Sequence, residues 1–74
     1  MNTNNEELLK LGHKIKYERG KKHISQLDLS LTTGLTTRTI SRIECGIIDP
    51  KYSTLLKIAD ALKINLTELL NFKL

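Results

Sequence analysis

Apolar residues return along this chain at spacings of three and four, and the breaks between them carry residues that start and stop helices. Leu8, Leu11, Gly12, Ile15 and Arg19 share one face of a first helix, leaving the lysines largely on the other side. Ser25 followed by Asp28 has the form of an N-cap with a carboxylate at the third helical position, where backbone N–H groups lack partners and negative charge is favoured. The helix opened there stops near Thr33, because Gly34 can take the left-handed conformation that other residues adopt at a cost. Valine is absent and strict alternation is rare, so the pattern predicts helices rather than strands.

Thr36 caps a third helix whose residues separate into two faces at about 100° per residue. Ile40, Ile43 and, at the margin, Glu44 point one way; Thr37, Arg38, Ser41, Arg42 and Cys45 point the other. Gly46 supplies a stop and Asp49-Pro50 a connecting loop. Ser53 is placed to cap a fourth helix with the stripe Leu55, Ile58, Ala59 and Leu62. Asn65 at the N-cap, Glu68 at N3, and Ile64 with Leu69 as a hydrophobic staple open a fifth. The expected helices span about 5–22, 26–33, 37–45, 54–63 and 66–72, and the expected fold is a compact all-α domain of five short helices covering 1–74.

A chain of 74 residues holds a single core of about a dozen large apolar side chains, so its stability is modest. Small domains find support in disulfides, metals or oligomerisation, and the first two lack an inventory here: Cys45 is the one cysteine, and His13 and His23 have no companion ligands. The single thiol reads as inert and is compatible with a reducing compartment. Met1 to Glu7 is polar and acidic where a secretory signal needs a basic start and an apolar run, and no apolar stretch approaches the roughly 20 residues that cross a bilayer. A cytoplasmic location is the expectation.

The formal charge of +4 fits a polyanionic partner, although charge alone speaks to association rather than fold. Its distribution adds more. Lys10, Lys14, Lys16, Arg19, Lys21 and Lys22 are offset only by Glu18 in that stretch, and the third helix adds Arg38 and Arg42. The helix 1 lysines read either as part of a binding surface or as a solvated face. Scarce aromatics disfavour a single-strand binder built on stacking.

Helices 2 and 3 around Gly34 have helix-turn-helix spacing, by itself a weak signal. The residues are more specific. Ser25-Gln26-x-x-Leu29-Ser30, Thr33-Gly34-Leu35, Thr39-Ile40-Ser41-x-Ile43-Glu44-x-Gly46, Pro50 and Thr54-Leu55-Leu56-Lys57-Ile58-Ala59-x-Ala61-Leu62 together resemble the Cro/C1-type (XRE) helix-turn-helix family. The likeness runs from helix 1 to Leu70.

That resemblance implies a five-helix, lambda-repressor-like DNA-binding domain acting as a homodimer on a two-fold operator. Family members include phage repressors, restriction-modification controllers, plasmid regulators and antitoxins. It implies phosphate contacts from Gln26 and Thr36, to which Lys51 is added from the loop before helix 4, and base contacts from Thr37, Arg38 and Arg42, with Ser41 a weaker candidate. The chemistry agrees: arginine can donate two hydrogen bonds to guanine, and a threonine methyl can pack on that of thymine. Arg38 and Arg42 could instead hold phosphates or lie on a solvated face. Arg19, on the inward stripe, needs a partner, and Glu44 at the inward edge of helix 3 is placed to be one; the resemblance implies the same structural ion pair.

Two departures from the family pattern are Ile47 and Ile48, in a loop where basic or polar residues often approach phosphate; they read as a partner contact or as anchors of the loop. Ser30 replaces the usual alanine where helices 2 and 3 approach. Leu66, Leu69, Leu70, Phe72 and Leu74 are more apolar side chains than so small a domain readily buries, so Leu66, Leu70, Phe72 and Leu74 are candidates for a dimer interface, the alternative being that they complete the monomer's core. The residues provide no catalytic constellation, metal cluster or phosphate-cradling glycine loop, so neither an enzyme nor a cofactor is expected. The two functional readings are a sequence-specific regulator of transcription and an antitoxin-like protein-interaction module whose DNA contact is secondary.

Overall fold

The computed structural model describes residues 3–71, with side chains from Glu6 onward. Five helices follow in order: α1 (Thr3–Lys21), α2 (Gln26–Thr33), α3 (Thr37–Glu44), α4 (Tyr52–Ala61) and α5 (Leu66–Leu69). No strand occurs among the described residues. Phe72 and Leu74 lie outside them.

The starts of α2, α3 and α5 are fixed by side chains that satisfy orphan amides. Ser25 accepts from the Asp28 N–H at 2.9 Å while the Asp28 carboxylate accepts from the Ser25 N–H at 3.1 Å, a closed capping box. The Ser25 N–H holds the Asp28 carboxyl below the usual range. Thr36 accepts from the Thr39 N–H at 3.0 Å, and Asn65 from that of Glu68 at 2.7 Å. Helix α4 departs from expectation: its N-cap is Lys51, without a side-chain cap, and Ser53 lies inside the first turn. Pro50 sets the chain direction just upstream, and the Lys51 carbonyl already accepts from the Leu55 N–H at 3.0 Å.

Helix ends also show two signals that the residue types conceal. Gly34 ends α2 at φ 82°, left-handed as glycine permits. At the ends of α1 and α4 the left-handed position is filled by His23 (φ 59°) and Lys63 (φ 63°). In each case the next amide reaches back five residues, Ile24 to the Arg19 carbonyl at 2.9 Å and Ile64 to that of Ala59 at 3.0 Å, closing a Schellman turn.

Helix α1 packs on α3 and α5, α2 on α3 and α4, and α4 on α5. Between them lie Leu11, Ile15, Leu29, Ile40, Ile43, Ile58, Ala59, Leu62 and Leu69, with Ile24, Leu35, Ile48, Leu55 and Ile64 packed around. The radius of gyration is 11.3 Å, matching the roughly 11 Å of a compact chain of this length. Gly12 sets the closest approach: a Cβ there would lie 2.6 Å from the Ile43 carbonyl oxygen and closer still to that of Glu44. The main chain of α1 therefore rests directly on the end of α3.

Glu18 departs from the picture of a charge on a solvated face. It is fully buried, with Nζ of Lys14 at 3.0 Å, Lys22 at 3.1 Å and Lys21 at 3.5 Å. Burial pushes its carboxyl up, but the hydrogen bonds of Lys14 and Lys22 and the charges of Lys14 and Lys21 together bring it from 4.5 to about 2. Lys14 and Lys21 also stand over the Tyr17 ring, at 5.7 and 5.1 Å from its centroid.

Candidate nucleic-acid interface

The segregation of α3 into two faces is what builds this surface. Ile40, Ile43 and Glu44 are buried, fixing the helix to the body. Thr37, Arg38, Arg42 and Cys45 are exposed, and Ser41 is half-buried. The outward face thus presents two guanidinium groups with short hydroxylated side chains between them. At its head Thr36 binds both the N–H and the hydroxyl of Thr39, each at 3.0 Å, so the start of α3 is rigidly closed.

The supports of that helix meet at Glu44. Arg19 donates from Nε to Oε2 at 2.7 Å and from Nη2 to Oε1 at 3.0 Å, a fork against a carboxylate. Its Nη1 donates to the Ile24 carbonyl at 3.0 Å, tying in the turn before α2. The hydrogen bonds to Glu44 hold the Arg19 guanidinium above its ordinary pKa against the opposing effect of burial. Gln26, the first residue of α2, donates from Nε2 to Glu44 Oε1 at 3.0 Å. Its amide carries a second N–H.

The turn between α2 and α3 is likewise closed from within. Ser30 donates its hydroxyl to the Leu35 carbonyl at 2.5 Å, so this half-buried hydroxyl is satisfied on the spot. The Leu35 N–H donates to the Thr33 hydroxyl at 3.1 Å. In the next loop Ile48 packs against the core and Ile47 is exposed, so the two isoleucines divide between anchoring and solvent. Lys51 is exposed at the head of α4. Of the apolar residues near the C-terminus, Leu69 is buried, Leu66 half-buried and Leu70 exposed.

Neither Lys16 nor His13 stands out among the polar residues of α1 by residue type alone. They line a cleft between α1 and α3, together with Gln26, Ser41, Glu44 and Cys45. Spacing at intervals of three puts His13, Lys16 and Arg19 on one edge of α1, but only the packing of α1 on α3 shows that this edge faces Ser41 and Cys45. Among the described residues no group of His, Cys, Asp and Glu could hold a metal ion, and no helix is long and apolar enough to cross a membrane.

Two capped helices about a left-handed glycine, the second held from behind and presenting a cationic face, define a helix-turn-helix unit. The Helix-turn-helix family model matches residues 15–69, and the chain belongs to that family in its Cro/C1-type form, whose members are DNA-binding transcriptional regulators. Among solved structures, the chain is similar to the restriction-modification controller protein C.AhdI from Aeromonas hydrophila. Identity is 32% and the TM-score 0.82, over 84% of this chain and 94% of that one. No curated protein sequence matches it significantly.

Proposed function

We propose that this chain is a sequence-specific regulator of transcription, a repressor or autoregulator, that binds an inverted-repeat operator as a homodimer with α3 in the major groove. The observation that carries this reading is the outward face of α3, where Thr37, Arg38 and Arg42 stand exposed on a helix locked from behind by Ile40, Ile43 and Glu44. Arg38 and Arg42 donate to guanine edges, Thr37 packs on thymine methyls, and Ser41 contributes one further hydrogen bond. Gln26 uses its second amide N–H on a phosphate, with Lys51 and the main-chain N–H of Thr36, whose hydroxyl proton is already given to Thr39, as further phosphate contacts. The likeness to a protein described as a restriction-modification controller supports the regulator reading. The domain spans 1–74, acts in the cytoplasm and needs no cofactor.

Selection of duplexes from a random pool tests this reading. The enriched sites carry an inverted repeat, and Arg42→Ala costs about 1 to 3 kcal/mol on the selected site while relaxing preference at one base position. A pool that enriches no sequence, or an Arg42→Ala variant that binds the selected site unchanged, overturns it.

A further inference from the structure

We infer that Lys16 is a phosphate-binding residue, and that the cleft between α1 and α3 extends the DNA interface beyond the helix-turn-helix itself. The inference rests on the reading of α3 as the groove-entering helix.

Position separates Lys16 from the other helix 1 lysines. At 100° per residue it lies about 60° around α1 from Arg19, on the flank toward α3, whereas Lys10, Lys14 and Lys21 lie about 120°, 160° and 140° away from Lys16. Lys10, though also exposed, does not line that cleft. Lys14 and Lys21 converge with Lys22 on Glu18. Lys16 is exposed and makes no salt bridge among the described residues. Its ammonium is left for an external anion.

The cleft supplies the setting. Lys16 lines it beside His13, opposite Ser41 and Cys45 on the outward flank of α3, with Gln26 at the edge. Glu44, the one acid there, has Arg19 on both oxygens and Gln26 on one, so its charge is neutralised within the fold rather than directed at an approaching strand. A duplex that receives α3 in its major groove carries phosphates along both rims of that groove. The strand passing Ser41 and Gln26 runs past Lys16, with His13 able to add one imidazole hydrogen bond.

The test is the salt dependence of binding to a selected cognate duplex and to an unrelated one, between roughly 50 and 200 mM salt. Lys16→Gln lowers the slope of log K against log salt by about 0.9 for each protomer on the duplex, because one counterion fewer is released. It weakens the cognate and unrelated duplexes by the same factor, since a phosphate contact carries no base information. Lys16→Arg keeps the slope, and so does Lys21→Gln, on the Glu18 side. A Lys16→Gln slope equal to that of the unaltered chain overturns the inference while leaving the regulator reading intact, as does an equal loss in Lys21→Gln. Failure of the unaltered chain to bind any duplex overturns both.

Discussion

Gln26 Nε2 lies 3.0 Å from Glu44 Oε1, so the first residue of α2 is joined to the last residue of α3 through a carboxylate that Arg19 already grips. The two helices of the motif are thus locked at both ends of their path, by the Gly34 turn and by this polar closure. Glu44→Ala removes the acceptor of three hydrogen bonds and strands a part-buried guanidinium. The expected loss is about 3 to 5 kcal/mol. In a domain this small it appears as a fall in melting temperature of some ten degrees or more, read by circular dichroism. An unchanged melting temperature would count against the closure as a structural element.

Gly12→Ala tests the seat of α3 on α1. The added methyl meets the backbone carbonyls of Ile43 and Glu44, which cannot swing aside as a side chain would. The variant loses at least the roughly 1 to 3 kcal/mol typical of overpacking, although alanine is the better helix former. Stability equal to that of the unaltered chain in urea titration would contradict the close approach.

Acid exposes the role of Glu18. Its carboxyl is brought down from 4.5 to about 2 in the folded chain, so folding favours the ionised form. The stabilisation is complete above about 4.5 and is lost as the pH falls toward about 2. The stability difference between the unaltered chain and Glu18→Gln is therefore widest near neutrality and narrows through that window. Urea midpoints measured at several pH values check it; a constant gap would show that Glu18 does not titrate as described.

Lys63 carries a left-handed backbone that side chains adopt at a cost of about 1 to 2 kcal/mol, partly offset by the conformational freedom glycine loses on folding. Lys63→Gly raises stability by up to about 1 kcal/mol, seen as a higher melting temperature. A drop would mean that the lysine side chain contributes more than its backbone costs.

The proposed homodimer is tested at Leu70, which is exposed just beyond α5. Leu70→Glu places a charge in the expected interface and weakens self-association by tenfold or more, equivalent to at least about 1.4 kcal/mol. Sedimentation across a concentration series reads the shift. A chain that stays monomeric at high micromolar concentration and on DNA excludes this assembly.

The helix starts at Ser25, Thr36 and Asn65 were legible because a short polar side chain three residues ahead of an amide is a local arrangement that spacing displays directly. So was the division of α3, since Ile40 and Ile43 alternate with its cations at helical period. The start of α4 was misplaced because Ser53 offers a cap that the chain does not use: Pro50 directs the backbone and Lys51 opens the helix by its carbonyl alone. The ends at His23 and Lys63 gave no sign, since neither residue type advertises a positive φ. Glu18 was hidden for a different reason: Lys14, Lys21 and Lys22 stand three or four residues from it, so the pairing was open to the spacing, but the burial of the carboxylate shows only once the chain is packed. The site divides in the same way. The outward cations of α3 follow from periodicity, whereas the alignment of Lys16 and His13 with Ser41 requires two helices to be brought side by side.

Because α3 is seated at Gly12 on the main chain of a nineteen-residue helix, it has no soft joint about which to tilt. Two such domains on a symmetric site would act as a rigid gauge. One inserted base pair rotates a half-site by about 34°, a misfit that neither domain could absorb, so tolerance of operator spacing becomes a direct readout of how stiff the molecule is.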